Sequence, residues 1–445
     1  MESVNLLGSI NVEGCKESYY NSFWSFDGQN VVGYNLMYRN MLIFDKDDCA
    51  FLKKGNSLPI ENETIQQLIE HQFIIDNNFD ELEFFKFNFL RNMYNDDTLT
   101  LDVLPTLACN LDCPYCYENK SNTKMSIDVE SDLLKWLEYN IAGKKMLEIA
   151  WFGGEPLICF DTIERLSTKI IKLCEKYGVH YEASITTNGI LLNDAIIKKF
   201  QSLHILNVQV TFDGNREKHN LQKFFRNGDG TFDFLKTNVE RYCELTESDV
   251  PLLIRVNVSD DNFDTISELL DNFSDSVKAN ALIFFRWLYP NEASGWKTFS
   301  RKMRGDLPYH GLAQLFQLAV AKGFYINNHR DILRYKYCEA DDPNYYAIDP
   351  LGNIYLCVHD YQPKDAIGNV KDGISKDFLG YLHSFRNVNP FNDNECLKCK
   401  VLPICNGGCR KERLANKRKC IGEKDLLGLY IKNLYDKYTK INISE

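Results

Sequence analysis

The chain has 445 residues, 44% of them apolar and 13% aromatic, so it can form two or three domains with sizeable cores. Its net charge of −11 argues against nucleic acid as a partner, because neutralising a phosphate backbone needs clustered Lys and Arg. No apolar run reaches the ~20 residues of a membrane-spanning helix, and no signal-peptide pattern opens the chain. We therefore expect a cytoplasmic protein without a membrane partner.

The 15 cysteines fall into two classes. Ten lie in spaced groups, whereas five are scattered along the chain: Cys15, Cys49, Cys159, Cys174 and Cys243. Disulfides are rare in the reducing cytosol. Grouped cysteines therefore indicate metal ligands, and scattered ones are expected to be buried small apolar residues.

Residues 1–97 combine β-rich patches with helical periodicity. The patches are "NVVGYNLMYRNMLIF" (30–44) and "CAFLKK" (49–54), and the helical patterns cover 63–75 and 79–94. This order predicts an N-terminal α+β module.

Residues 98–325 alternate strand and helix patterns. Six apolar, β-branched runs lie between amphipathic stretches, at 99–105, 146–152, 182–187, 206–212, 252–258 and 281–288. The alternation predicts an α/β fold with a parallel sheet covered by helices. An open, partial barrel and a doubly wound sheet both fit, and in either case chemistry is expected at the carboxyl ends of the strands.

Residues 326–445 carry cysteines, glycines and short apolar segments, followed by an amphipathic helical pattern at 423–440. A region with so small a core needs additional cross-links for stability, and bound metal can supply them.

The stretch "ACNLDCPYCYEN" (108–119) follows the first of the six strands and contains Cys109, Cys113 and Cys116. Three thiolates can hold three corners of a [4Fe–4S] cluster and leave the fourth iron open for a substrate or cofactor. The alternative is a zinc site whose fourth ligand lies elsewhere.

The C-x3-C-x2-C spacing, with aromatic Tyr115 before the last cysteine, resembles the signature of the radical S-adenosylmethionine (radical SAM) enzymes. The resemblance implies a partial (β/α)6 TIM-like barrel whose open iron binds S-adenosylmethionine (SAM). It also implies reductive cleavage of SAM to a 5′-deoxyadenosyl radical, with electrons from a donor such as flavodoxin or ferredoxin.

Three further motifs resemble the same family, each at the end of a predicted strand. "FGGEP" (152–156) contains Gly153, Gly154 and Glu155, where glycines allow close backbone approach and the carboxylate suits the methionine ammonium. "TTNG" (186–189) and "VTFDGNREKHN" (210–220) complete the set. The resemblance implies SAM contacts from Thr187, Asn188 and Thr211, and from Lys223, which stands where the family often has arginine.

Seven downstream cysteines resemble the SPASM extension of radical SAM proteins, which carries two auxiliary [4Fe–4S] clusters. A C-x2-C pair alone would suggest zinc. Carried over by position, the outer cluster is held by Cys396, Cys399, Cys405 and Cys420, and the inner cluster by Cys338, Cys357 and Cys409.

Some members of the family add an eighth cysteine that completes the inner cluster, but residues 339–356 contain none. We expect either an open inner cluster or closure by Glu339, Asp341, Asp342 or a scattered cysteine. An auxiliary cluster can accept the electron that an oxidative bond formation releases.

SPASM enzymes that modify ribosomal peptides often carry a winged-helix-like module that captures the leader of the precursor peptide, and residues 1–97 are compatible with one. The alternative is a cap that only stabilises the barrel. The resemblance thus predicts a peptide maturase forming a C–C (cyclophane-type) or thioether cross-link.

Two other functions stay open from the sequence. One is an anaerobic sulfatase-maturing enzyme that oxidises Ser or Cys to formylglycine, and the other is a non-catalytic, metal-binding peptide scaffold. No general base can be assigned. Four residues are candidates by their place at strand ends alone: Asp213, Glu217, His219 and Arg255.

Overall fold

The structure is a computed structural model that describes residues 2–7, 12–26, 28, 30–53, 60–118, 120–246, 250–288, 307–326, 335–360, 362–416, 420, 424 and 427–443. The chain forms two compact units. We call them the terminal unit (Met1–Tyr94, Asn328–Asp341 and Asn387–Glu445) and the sheet unit (Asn95–Asn327 and Asp342–Arg386).

The strands in chain order are β1 (Glu2–Ser3), β2 (Cys15–Glu17), β3 (Asn21–Ser25), β4 (Val31–Asn35), β5 (Met41–Phe44), β6 (Ile74–Asp76), β7 (Thr98–Val103), β8 (Met146–Trp151), β9 (His180–Thr186), β10 (Ile205–Phe212), β11 (Leu252–Val258), β12 (Ala281–Trp287), β13 (Tyr325–Ile326), β14 (Tyr345–Ile348), β15 (Asn353–Tyr355), β16 (Gly368–Asn369) and β17 (Gly373–Ile374). The α-helices are α1 (Lys46–Leu52), α2 (Glu63–Glu70), α3 (Glu81–Met93), α4 (Ile127–Asn140), α5 (Phe160–Tyr177), α6 (Asp194–Phe200), α7 (Arg216–Gln222), α8 (Phe232–Thr246), α9 (Ile266–Asp271), α10 (Asp275–Asn280), α11 (Leu307–Ala321), α12 (Leu379–Asn387), α13 (Asn394–Leu397), α14 (Leu402–Cys405), α15 (Arg410–Leu414) and α16 (Leu427–Ile443).

The six predicted strands are confirmed as β7 to β12. They lie side by side in chain order and pair in parallel, with β13 beyond β12. A doubly wound sheet would reverse its strand order at a switch point, so the unbroken order favours the open α/β arrangement. The carboxyl ends of all six strands therefore meet at one edge.

Alternation of apolar, inward-facing residues with less buried ones explains why these segments form strands. Along β12, Ala281, Ile283 and Phe285 are buried and the residues between them are half-buried.

The helices between the strands begin and end at residues typical of helix boundaries. Ser126 caps the start of α4, and α5 ends at Gly178, whose φ of 67° suits a residue without Cβ.

A return of the chain extends the sheet on the other side. β14 pairs in parallel with β7, in the register Tyr345↔Thr100 to Ile348↔Val103, and β15 to β17 follow as antiparallel strands. Residues 342–386, which lie in the predicted third domain, thus belong to the sheet unit.

In the terminal unit, the sheet β1-β3-β4-β5 and the pair β2-β6 enclose a core around Phe23, Phe44 and Phe73. Gly33 is required there, because a Cβ would lie 2.8 Å from both the Phe23 and the Phe73 ring. This unit contains the N-terminal module, whose winged-helix character stays a prediction.

The strand predicted at "CAFLKK" is wrong, since residues 49–52 lie in α1. Asp45 caps this helix, accepting from the Asp47 and Asp48 amides, and Asp48 completes a capping box. The cysteine-rich end of the chain forms the short helices α13 to α15. The predicted closing helix is α16, and residues 423, 425 and 426 of that pattern lie outside the described residues.

Candidate functional site

The first cysteine loop (residues 104–116) follows β7 and is anchored by backbone hydrogen bonds to other segments. The Leu107 amide donates to the Thr123 carbonyl at 3.0 Å, and the Met125 amide to the Pro105 carbonyl at 2.9 Å. The Asp112 amide donates to the Phe224 carbonyl at 3.0 Å. The sheet unit thus fixes this loop without using the thiols.

The two glycines of "FGGEP" pack directly against the first cysteine loop. A Cβ on Gly153, whose φ is +111°, would lie 2.5 Å from the Thr106 carbonyl oxygen. One on Gly154 would lie 2.7 Å from the Leu107 carbonyl oxygen. Only glycine allows the second strand end to approach the cysteine loop this closely.

Glu155 has no exposed surface, and its carboxylate binds protein donors. Oε1 accepts from the Thr187 hydroxyl at 2.7 Å and the Leu157 amide at 3.0 Å, and Oε2 from the Asn188 amide at 2.7 Å. Burial raises its pKa, against the lowering effect of these bonds. Glu155 therefore ties "FGGEP" to "TTNG", and its predicted contact with the SAM ammonium stays a prediction.

The Asn188 side chain connects "TTNG" to the cysteine loop. Its amide nitrogen lies 2.7 Å from Asn110 Oδ1 and 3.9 Å from Cys109 Sγ. Asn110 was not predicted as a site residue. Its place directly after the first cysteine was the signal that could have indicated it.

A second buried network surrounds Asp213, which is fully buried at the end of β10. The Tyr115 hydroxyl donates to its two carboxylate oxygens at 3.1 and 2.9 Å, and the Asn257 amide donates to the Tyr115 oxygen at 3.2 Å. Lys223 Nζ lies 3.9 Å from Asp213 and donates to the Thr211 carbonyl at 3.0 Å. The structure thus brings Tyr115, Thr211 and Lys223 together, and adds Asn257, which the motifs did not indicate.

The four candidate bases differ in environment. His219 is fully buried between the Asp213 amide and the Thr231 hydroxyl, and burial lowers its pKa well below the usual value, so it is neutral and structural. Glu217 is exposed on α7. Arg255 is half-buried on β11, and its Nε donates to Asn257 Oδ1 at 2.9 Å.

The three thiols of the first loop lie in a buried environment. Burial raises the pKa of Cys113 to about 12, and it also raises the pKa values of Cys109 and Cys116. Metal binding requires the thiolate and would displace these protons. Three cysteines on one anchored loop supply the donor set of a cluster with one free iron, and this cluster stays a prediction.

The second cysteine field contains a cavity within the terminal unit. The cavity spans about 350 Å³, part of which is open to solvent, and its lining includes all four predicted outer-cluster ligands, Cys396, Cys399, Cys405 and Cys420. Arg413 Nη2 lies 3.4 Å from Cys396 Sγ. Among the described residues, no three His, Cys, Asp or Glu side chains converge on a single-ion position. The assignment of cysteines to clusters therefore stays a prediction.

The predicted inner-cluster ligands are distributed over both units, with Cys338 and Cys409 in the terminal unit and Cys357 in the sheet unit. Their common cluster stays a prediction. Of the alternative fourth ligands, Asp341 is buried and accepts from Arg410 Nε at 3.0 Å. Glu339 pairs with Lys336.

The scattered cysteines mostly behave as predicted. Cys49, Cys159, Cys174 and Cys243 are buried, whereas Cys15 is half-buried.

In the described part of the chain, no helix has the length and apolar character needed to cross a bilayer.

Comparisons with known proteins agree with this geometry. Residues 103–271 match the model of the radical SAM superfamily. The radical SAM cyclopropyl synthase TigE of Paramaledivibacter caminithermalis is 23% identical over 386 residues, which cover 78% of this chain and 76% of TigE. A cysteine-type anaerobic sulfatase-maturating enzyme of Clostridium perfringens is 26% identical over 342 residues, covering 71% of this chain and 90% of that enzyme.

A solved structure shares the fold. Streptococcus suis SuiB bound to its precursor peptide SuiA superposes with a TM-score of 0.50 at 16% identity, covering 89% of this chain and 95% of SuiB. The segment that matches the radical SAM model, residues 103–271, contains the first cysteine loop and the strand ends that surround it. The chain therefore carries a radical SAM domain and is an enzyme.

Proposed function

We propose that this enzyme is a peptide maturase that forms an oxidative C–C or thioether cross-link in a ribosomally made precursor. The observation that carries the proposal is the anchored three-cysteine loop at the carboxyl ends of the parallel strands, in a chain with a second cysteine field. Among its relatives, TigE matches over most of its length, and SuiB was solved with a precursor peptide.

Cys109, Cys113 and Cys116 would hold the first [4Fe–4S] cluster, and SAM would bind its open iron. When bound, these groups supply a 5′-deoxyadenosyl radical that removes one hydrogen atom from the substrate. Asn188 lies beside Cys109 and would orient the methionine end of SAM. Lys223 offers a buried cation for the SAM carboxylate, and Asp213 and Thr211 hold it in place.

The outer auxiliary cluster would occupy the cavity lined by Cys396, Cys399, Cys405 and Cys420. After loss of the first hydrogen atom, cross-linking requires loss of one more electron and one proton. A cluster in this cavity would accept that electron, so the substrate loses two hydrogens in total.

The length of the chain favours a maturase over a sulfatase-maturing enzyme. The match to the C. perfringens enzyme includes 90% of that enzyme but only 71% of this chain. The match to SuiB includes 89% of this chain. The N-terminal module would bind the leader of the precursor peptide by adding a strand to the β1-β3-β4-β5 sheet. Sulfatase maturation remains the second candidate, because the C. perfringens relative is a cysteine-type anaerobic sulfatase-maturating enzyme.

The test is anaerobic incubation of the reconstituted enzyme with SAM, a reductant and the short peptide encoded beside its gene. We expect mass spectrometry to show a peptide that has lost two hydrogens, with fragment ions missing between the linked residues. Serine oxidised to formylglycine also loses two hydrogens, so a hydrazide reagent is added to a parallel sample. A hydrazide adduct, with normal fragmentation, would support the sulfatase-type reaction instead.

A further inference from the structure

Arg39 lies between β4 and β5 in the terminal unit and has an unusual backbone conformation. Its φ is +64°, in the left-handed region that side chains other than Gly, Asn and Asp rarely adopt. Hydrogen bonds in the turn hold it there, from the Arg39 amide to the Asn35 carbonyl and from the Asn35 amide to the Asn40 carbonyl, each at 2.9 Å. The fold therefore accepts a strained residue at this position.

The Arg39 side chain is half-buried, and its guanidinium is only partly bonded. Nη2 donates to the Pro403 carbonyl at 2.8 Å, whereas buried Nε and Nη1 have no hydrogen-bond partner. In the part of the chain that the structure describes, no carboxylate forms an ion pair with Arg39. Two other cations lie close to the predicted ligands: Arg413 near Cys396 is paired with Asp393 at 3.4 Å, and Lys424 Nζ lies 3.8 Å from Cys420 Sγ. Two buried donors without a partner are unfavourable, and a nearby anion would relieve this cost.

The bond to Pro403 ties Arg39 to a helix that lines the outer-cluster cavity. Pro403 belongs to α14, and the same helix lines the cavity with Leu402 and Cys405. Two other contacts hold the N-terminal module against this cysteine segment. The Tyr19 hydroxyl donates to the Lys398 carbonyl at 2.7 Å, and Lys400 Nζ donates to the Asn21 carbonyl at 3.0 Å.

We propose that Arg39 is an additional counter-charge of the outer auxiliary cluster, beside Lys424 and Arg413, and raises its reduction potential. The inference rests on the proposed function, because it requires a [4Fe–4S] cluster in this cavity. A cluster with four thiolates is an anion that becomes more negative on reduction, so a nearby cation stabilises the reduced form. The N-terminal module thereby makes the outer cluster a better electron acceptor.

The test uses the full-length chain with Cys109, Cys113 and Cys116 changed to Ala, so that only auxiliary clusters contribute to the EPR signal. The component that is lost on Cys405→Ser is assigned to the outer cluster. Its redox titration is compared with that of Arg39→Gln, Arg39→Met and Arg39→Lys. The control is Arg91→Gln, which removes an exposed cation of the same module.

We expect Arg39→Gln and Arg39→Met to lower the reduced-to-oxidised ratio at a fixed potential about tenfold, equal to a decrease of about 59 mV for one electron. Arg39→Lys and Arg91→Gln should stay within about twofold of the parent. The cluster-free Arg39→Met chain should melt no lower than the cluster-free parent, since removal of two buried donors without a partner relieves a cost. This variant keeps the test valid if Arg39→Gln does not fold.

The outcomes separate the two proposals. If the parent binds no auxiliary cluster, the cofactor part of the proposed function fails. If the auxiliary clusters are present and the outer one keeps its potential in Arg39→Met, Arg39 is only structural and the inference is overturned. If Arg39→Lys lowers the reduction potential of the outer cluster as much as Arg39→Gln does, the inference is also overturned, because charge would not be the cause.

Discussion

The two cysteine segments are held in place by different means. The first loop is fixed by backbone hydrogen bonds to distant segments, by the glycines of "FGGEP" and by Asn188. The backbone hydrogen bonds of residues 394–409 stay within that segment or directly beside it, as from the Cys399 amide to the Cys396 carbonyl, and its bonds to distant segments come from side chains, as from Arg39 to Pro403. We therefore expect the sheet to hold the first loop in place without metal, whereas the second segment gains more of its order from bound metal.

The largest expected effect is on the first site. Cys109→Ala should abolish 5′-deoxyadenosine formation, measured by liquid chromatography, while the melting temperature changes by only a few degrees. Cys174→Ala is the matched control, because Cys174 is a buried, scattered cysteine on α5. Persistent SAM cleavage in Cys109→Ala would refute the assignment of this loop.

Iron removal tests the comparison directly. After chelation, we expect amide hydrogen exchange in residues 394–409 to accelerate about tenfold or more, equal to about 1.4 kcal/mol of lost local stability. Exchange in residues 104–112 should change much less, since their amides bond to other segments of the sheet unit. Equal acceleration in both segments would contradict the difference that we describe.

Gly154→Ala should disturb the first site without touching a thiol. Its Cβ would lie 2.7 Å from Leu107 O and from the Ala108 carbonyl carbon, and such overpacking costs about 1–3 kcal/mol. The measurement is urea unfolding of the iron-free chain. Gly380→Ala is the control, because a Cβ there meets open space. Equal stability of the two variants would show that the close approach of "FGGEP" is not needed.

Glu155→Gln should have the smallest effect. The amide group cannot accept all the hydrogen bonds that the carboxylate receives from Thr187, Asn188 and Leu157, so we expect a loss of about 1–2 kcal/mol in unfolding free energy. SAM binding, measured by calorimetry on the reconstituted enzyme, then separates two roles. Unchanged affinity would identify Glu155 as a clamp between strand ends, whereas a large loss would support the predicted contact with the ammonium.

Local patterns predicted the elements of the sheet unit well. Most of the strands β7 to β12 show alternation of buried and less buried residues, α4 begins at the Ser126 cap and α5 ends at Gly178. Each of these signals lies within one short segment of sequence. "CAFLKK" shows the limit of such patterns. Its apolar residues favoured a strand, but the capping box at Asp45, just before the segment, starts a helix that includes it.

The sequence by itself indicated the radical SAM domain, because cysteine spacing within a loop is a local property on which cluster binding depends. It placed the three thiols of the first site, the glycines of "FGGEP" and the buried scattered cysteines. Only the tertiary structure decided which distant side chains meet. The bonds of Glu155 to "TTNG", the network of Tyr115, Asp213 and Asn257, and the unpaired donors of Arg39 all depend on contacts between segments far apart in the chain. No local pattern encodes such contacts, since each arises when strands and loops pack and bury their polar groups together.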